Sequence, residues 1–355
     1  MTSLEFCHEL EFSKINFIER KIRITHPKTI LIGPPKSGKS YLIFDYLSNF
    51  DSKDYIYIDL DDIRNSKEEI INNLEEYVIR NKIKVIVLEN FEFDFKIPFC
   101  DSVIITTKKD QKLKGFKNLF LNPLDFEEYL LHDKKNQNIT HAFNYFLKYG
   151  NTPLSLSIPE FKVYEHLQDL IKLISKDKTS EYILRILIIN IDEKKSLNQL
   201  FLTLKNQIKI SKDKFYEVCK DFEEKKIIYF LPKFNQEKAI KKIYTYNYAF
   251  FSAITHKKKF KGELTNLIFL ELLKNHKEIF YLDYIDFYIP KNNSAIISIP
   301  FFNSNIMQSQ LKKIKKVAFE NNIDQIYIIT VSNNEHFFDN KLEINVLPFY
   351  EWALS

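Results

Sequence analysis

Apolar residues in the first third of the chain come in short uninterrupted runs, at 30–32, 55–60, 85–88 and 102–107, each rich in Ile and Val. Runs of that length, with few polar gaps, are what strands buried on both faces of a parallel sheet require. Between the second and third runs, Ile70, Ile71, Leu74 and Val78 recur at helical spacing across 66–80. Residues 41–47 read as another helix. Alternating strands and helices predict an α/β, doubly wound parallel layer.

From Asp125 the period turns helical, with Phe126, Tyr129 and Leu130, then Ala142, Phe143, Phe146 and Leu147, until Gly150-Asn151-Thr152-Pro153 breaks it. A further helix is expected over about 160–175. Residues 180–191, 197–204 and 211–226 read as three helices, the last capped by Ser211. Strands at 227–231 and 242–246 then pair across a polar turn at 235–237, which completes a winged-helix outline. Beyond 260 the pattern is mixed. A helix at 263–273 leads to a strand at 278–282 and a hairpin of 285–289 with 295–299. A helix at 308–321 and a buried strand at 325–331 follow. The expected division is a P-loop domain at 1–130, a helical lid at 131–178, a winged helix at 179–255 and a small α/β domain at 256–355.

Length and composition narrow this only slightly. The 355 residues are 45% hydrophobic and 28% charged, the balance of a folded globular protein rather than a disordered one. No apolar stretch approaches the roughly 18 residues that span a bilayer. No signal pattern opens the chain, so a cytoplasmic location without a membrane partner is expected. Cys7, Cys100 and Cys219 lie far apart and argue against a zinc site or disulfide framework. The net charge of +5 points only weakly to an anionic partner. Arg20, Arg23, Arg64, Arg80 and Arg185 are the only arginines among 52 basic residues, so few residues can serve as an arginine finger.

Residues 33–40 carry the strongest chemical signal: Gly33, Pro34, Pro35, Lys36, Ser37, Gly38, Lys39 and Ser40 fit the Gly-x-x-x-x-Gly-Lys-Ser phosphate loop. The loop follows a predicted strand and opens a predicted helix starting near Lys39, the context the motif needs, and Tyr41 is counted with the nucleotide-binding residues. Two of the chain's five glycines stand here, letting backbone N–H groups curl around a polyphosphate at the positive end of the helix. ATP is the expected ligand. Lys39 would reach the β- and γ-phosphates and Ser40 would hold Mg²⁺.

Such a site also needs an acidic metal partner and a base. The third strand ends Leu88-Glu89-Asn90. One register puts Glu89 at the metal position and Asn90 where a Glu base usually stands; the other makes Glu89 the base and leaves no metal carboxylate. Either way one carboxylate is missing, and Glu92 falls on the following loop. Thr106 or Thr107 can sense the γ-phosphate or simply satisfy backbone groups. Asp59, Asp61, Asp62 and Arg64 end the second strand on the same edge.

These features together resemble the archaeal-type AAA+ ATPases. The likeness rests on 33–40, 55–64, 85–91 and 103–107, and above all on Asn122-Pro123-Leu124-Asp125-Phe126-Glu127-Glu128-Tyr129-Leu130. Phe146-Leu147-Lys148-Tyr149-Gly150-Asn151-Thr152-Pro153 adds to it. The resemblance implies a winged helix and a C-terminal restriction-endonuclease-like domain. The chain departs from the family at Asn90, at Phe116 after Gly115, and in the last domain. There Glu263 and Asp286 fit a nuclease pattern, but Ser298 and Pro300 replace its Glu and Lys. That domain is therefore expected to be inactive.

Three functions follow in order: a slow ATPase coupling nucleotide state to duplex DNA or a protein client; a nucleotide-gated binding module without turnover; and, last, a DNA nuclease. Lysines at 212, 214, 220, 225 and 226 in the third helix and 233, 238, 241 and 242 in the wing suit phosphate contacts. A solvated lysine face diluted by Asp213, Glu217, Asp221, Glu223 and Glu224 has the same pattern.

Overall fold

The computed structural model describes residues 2–12, 18–108, 111–135, 138–339 and 342–355. The chain divides into two compact units, residues 1–123 and 124–355.

In the first unit a short helix α1 (Ser3–His8) precedes strand β1 (Lys28–Ile32) and helix α2 (Lys39–Leu47). Strand β2 (Tyr55–Asp59), helix α3 (Lys67–Asn81) and strands β3 (Val85–Glu89), β4 (Ser102–Thr107) and β5 (Lys117–Phe120) follow. The strands form one sheet in the order β2-β3-β4-β1-β5, every neighbouring pair parallel. Side chains alternate across it. Ile30, Ile56, Ile58, Ile86, Leu88 and Ile105 pack with Ile70, Leu74 and Val78 of α3. Leu31, Tyr57, Val85, Val87 and Ile104 pack with Leu42, Ile43 and Leu47 of α2. This is the expected doubly wound layer, and its parity decides what faces the phosphate loop.

The second unit opens with helices α4 (Phe126–His132), α5 (Ile139–Tyr149) and α6 (Val163–Ile174), then α7 (Lys178–Ile189), α8 (Leu197–Lys205) and α9 (Lys212–Glu224). Asp125 and Glu128 make a capping box at the start of α4, and Ser211 caps α9. Strands β6 (Ile228–Leu231) and β7 (Lys242–Thr245) form an antiparallel pair. Helices α10 (Phe250–Ile254) and α11 (Phe260–Asn275) lead into strands β8 (Phe280–Leu282), β9 (Ile285–Ile289) and β10 (Ser294–Ser298). Helix α12 (Gln308–Glu320), strands β11 (Gln325–Thr330), β12 (Glu335–Asp339) and β13 (Leu342–Pro348) and helix α13 (Phe349–Trp352) complete the unit.

Six strands in the order β12-β13-β11-β10-β9-β8 form a mixed sheet. Its residues Phe287, Ile289, Ile296 and Ile329 join the apolar cluster of the helices and hairpin. Ala295, Ile297, Ile326, Ile328 and Ile344, on the other face, pack with Leu311 and Ile314 of α12. No helix among the described residues is long and apolar enough to cross a membrane.

Candidate nucleotide site

The chain turns from β1 to α2 through residues 33–38, and two positions force the turn. Lys36 and Gly38 lie at φ 60° and 101°, the left-handed region that favours glycine. A Cβ on Gly33 would stand 2.3 Å from the Leu121 carbonyl oxygen, so only glycine lets the loop pass the segment after β5. Gly38 is the N-cap of α2 and supplies no side-chain cap, which leaves the first N–H groups of that helix open to an anion.

Lys39 folds back over the loop, donating to the carbonyl oxygens of Gly33 at 2.9 Å and Pro34 at 3.0 Å. Burial pulls its ammonium down to about 8 against the attraction of Glu89. Pro34 and Ser37 are buried, Pro35 is half-buried, and Lys36 is exposed. Ser37 Oγ has no hydrogen-bond partner among the described residues. Tyr41, on the first turn of α2, is exposed with its ring against Phe44.

Strand parity gathers the acidic groups. Glu89 ends β3 on the same face as Val85 and Val87, the face covered by α2. Ser40 Oγ donates to Glu89 Oε2 at 3.1 Å, and the Tyr57 hydroxyl donates to the same oxygen. Burial pushes the Glu89 carboxyl upward, while the bonds from Tyr57 and Ser40 hold it back. Ser40 and Glu89, the two residues expected to hold Mg²⁺, are thus in direct contact. A hydroxyl and a buried carboxylate oxygen are hard donors of the kind Mg²⁺ takes beside phosphate oxygens, so this pair fits that ion.

Asn90 follows β3 with a left-handed backbone, φ 58°. Its N–H donates to Thr106 Oγ1 at 2.9 Å and its Nδ2 to Asp59 Oδ1 at 2.8 Å. Thus the Thr106 hydroxyl satisfies a backbone group, one of its two expected roles. Asp59 faces the loop side and touches Asn90, whereas Asp61 pairs with Lys108 and Asp62 with Arg64 on the exposed surface. Glu92 is exposed on the loop beyond.

Sequence reasoning missed Tyr57 and Arg20. Tyr57 sits inside an apolar strand run, and only its parity with Glu89 hints at its role. Arg20, 8% exposed, donates to the carbonyl oxygens of Ser37 at 2.7 Å and Asn122 at 2.8 Å. Its signal is its rarity in a chain that otherwise uses lysine.

The two acids singled out in the second unit, Asp286 and Glu263, have separate hydrogen-bond partners. The Lys242 ammonium, from β7, lies 2.9 Å from Asp286 Oδ1 and 2.8 Å from Asp192 Oδ1. Ser298 gives its N–H to Asp286 Oδ2 at 2.9 Å, and Tyr244 bonds Asp192 at 3.0 Å. Burial works to lower the Lys242 pKa, but Asp286 and Asp192 outweigh it and hold the ammonium above its ordinary value. Glu263 instead accepts from Ser252. In α9, Lys214, Lys220 and Lys225 pair with Glu217, Glu224 and Asp221, and between β6 and β7 Lys233 pairs with Asp283.

No family model matches the chain. Uncharacterized protein MJ1544 of Methanocaldococcus jannaschii is 22% identical over 417 residues, covering 96% of this chain and 90% of that protein. Among solved structures, the Walker-type ATPase PABY2304 of Pyrococcus abyssi matches with a TM-score of 0.44 and 12% identity. That match covers 64% of this chain and 91% of that one. Strand order and loop geometry by themselves make the first unit a P-loop fold.

Proposed function

We propose that the protein binds Mg-ATP at the 33–40 loop, hydrolyses it slowly, and uses the nucleotide state to control a partner. The observation that carries this reading is the meeting of Ser40 with Glu89 at 3.1 Å, directly beneath an uncapped helix N-terminus. On binding, Lys39 exchanges the Gly33 and Pro34 carbonyls for β- and γ-phosphate oxygens, and the loop amides take the remaining charge. Ser40 and Glu89 would hold Mg²⁺, which neutralises phosphate charge.

Slow turnover follows from Asn90. An amide accepts no proton at neutral pH, and this one is already turned to Asp59 at 2.8 Å. Phosphate release by wild type and Asn90→Glu tests the point. A carboxylate there should raise turnover about a hundredfold, the low end of general-base effects. Rapid release by wild type, unchanged in the variant, would contradict it.

We read the second unit as lid, winged-helix and inactive nuclease-like parts, the output side of the switch. Its lysines at 214, 220, 225 and 233 stand beside carboxylates, which offsets part of the positive charge they would present to duplex DNA. The Lys242 ammonium between Asp192 and Asp286 supports the inactive reading of the last part.

A further inference from the structure

We infer that Arg20 is a positioning residue for the phosphate loop, orienting and polarising the Ser37–Gly38 peptide from behind. This rests on the nucleotide-binding reading above and extends it to a residue outside the 33–40 motif.

The guanidinium is buried at 8% exposure and donates through Nη1 to the Ser37 carbonyl and through Nη2 to the Asn122 carbonyl. In a trans peptide the C=O and the next N–H point in opposite directions. Holding the Ser37 oxygen therefore aims the Gly38 N–H away from Arg20. Gly38 is the N-cap of α2, so this amide stands where the helix meets an anion. A charged donor on the carbonyl also strengthens the amide on the other side, because hydrogen bonds in series polarise one another.

The second anchor keeps this from being a loose contact. Asn122 follows Leu121, whose N–H donates to the Ile32 carbonyl at 2.7 Å and whose own oxygen lies against Gly33. The loop is thus gripped at Gly33 by the 121–122 segment and at Ser37 by Arg20, which is itself tied to that segment. A planar fork fixes the directions of its two separate N–H donors, whereas an ammonium's donors share one freely rotating nitrogen.

The test uses the full chain with two probes, Mg-ATP and inorganic tripolyphosphate, against wild type, Arg20→Gln and Arg20→Lys. Melting by circular dichroism runs alongside. Both variants should remain folded and bind both probes about tenfold more weakly, the scale of one charged hydrogen bond, with lysine giving no rescue. Full rescue by lysine would overturn the claim, since charge alone would then suffice. So would a loss confined to ATP, which would place Arg20 at the nucleoside, or unchanged affinity in both variants. Unfolding of both would assign Arg20 to the fold and likewise overturn it. Wild type that binds neither probe would sink the nucleotide reading itself, an outcome distinct from all of these.

Discussion

Lys39 sets the pH response of the site. Its ammonium is held down to about 8 by burial, from an ordinary value of 10.5. Only the charged form grips a polyphosphate, so affinity for Mg-ATP should be flat below pH 8. Above that it should fall by up to about tenfold per pH unit. Calorimetric titrations between pH 6.5 and 9.5 check this, and a flat profile would contradict it. The stability of the free protein should move the other way. The unfolded chain keeps the Lys39 proton up to 10.5 and the folded loop releases it near 8, so this residue's contribution to stability grows as pH rises between those values. At this scale the motif residues were legible because spacing alone specifies them. Tyr57 and Arg20 were not, because what makes them matter is strand parity and a carbonyl brought close by the fold.

Among the elements, the phosphate loop and the segment after β5 are fitted to one another. Gly33 has an ordinary φ but no room, with the Leu121 oxygen 2.3 Å from any Cβ; Gly115 has a φ of 82° and open space. Gly33→Ala should therefore cost about 1–3 kcal/mol of overpacking and weaken nucleotide binding. Gly115→Ala should cost about 1–2 kcal/mol through its backbone conformation alone and leave binding unchanged. Denaturant melts and ATP titrations of both variants separate the two cases; equal effects on binding would refute this account of the loop. The strands β1 to β4 were readable as apolar runs and most helices from α3 to α12 from their period, whereas the five-residue α10 was not read. The edge strand β12, with Glu335, His336 and Asp339, offers no apolar run. Its neighbour β13 alternates Leu342, Ile344 and Val346 with half-buried polar and apolar positions, a weaker signal than the continuous runs of β1 to β4.

At the scale of the whole molecule, a buried electrostatic arrangement in each unit carries a prediction. In the second unit it is Lys242 between Asp192 and Asp286, every side chain at 10% exposure or less. Lys242→Met would leave two buried carboxylates facing each other. It should destabilise the protein by about 3–5 kcal/mol without creating Mg²⁺-dependent cleavage of DNA. Chemical denaturation and a plasmid-nicking assay check the two halves, and either an unchanged stability or new cleavage would contradict the reading. In the first unit the arrangement is Lys39, Ser40 and Glu89 under the loop, and the proposed function depends on it. Isothermal titration calorimetry of the full chain with Mg-ATP, beside Lys39→Ala, is the most direct test. The account predicts saturable binding at one site per chain that the substitution abolishes. No heat from the wild type, or equal binding by the variant, would contradict it.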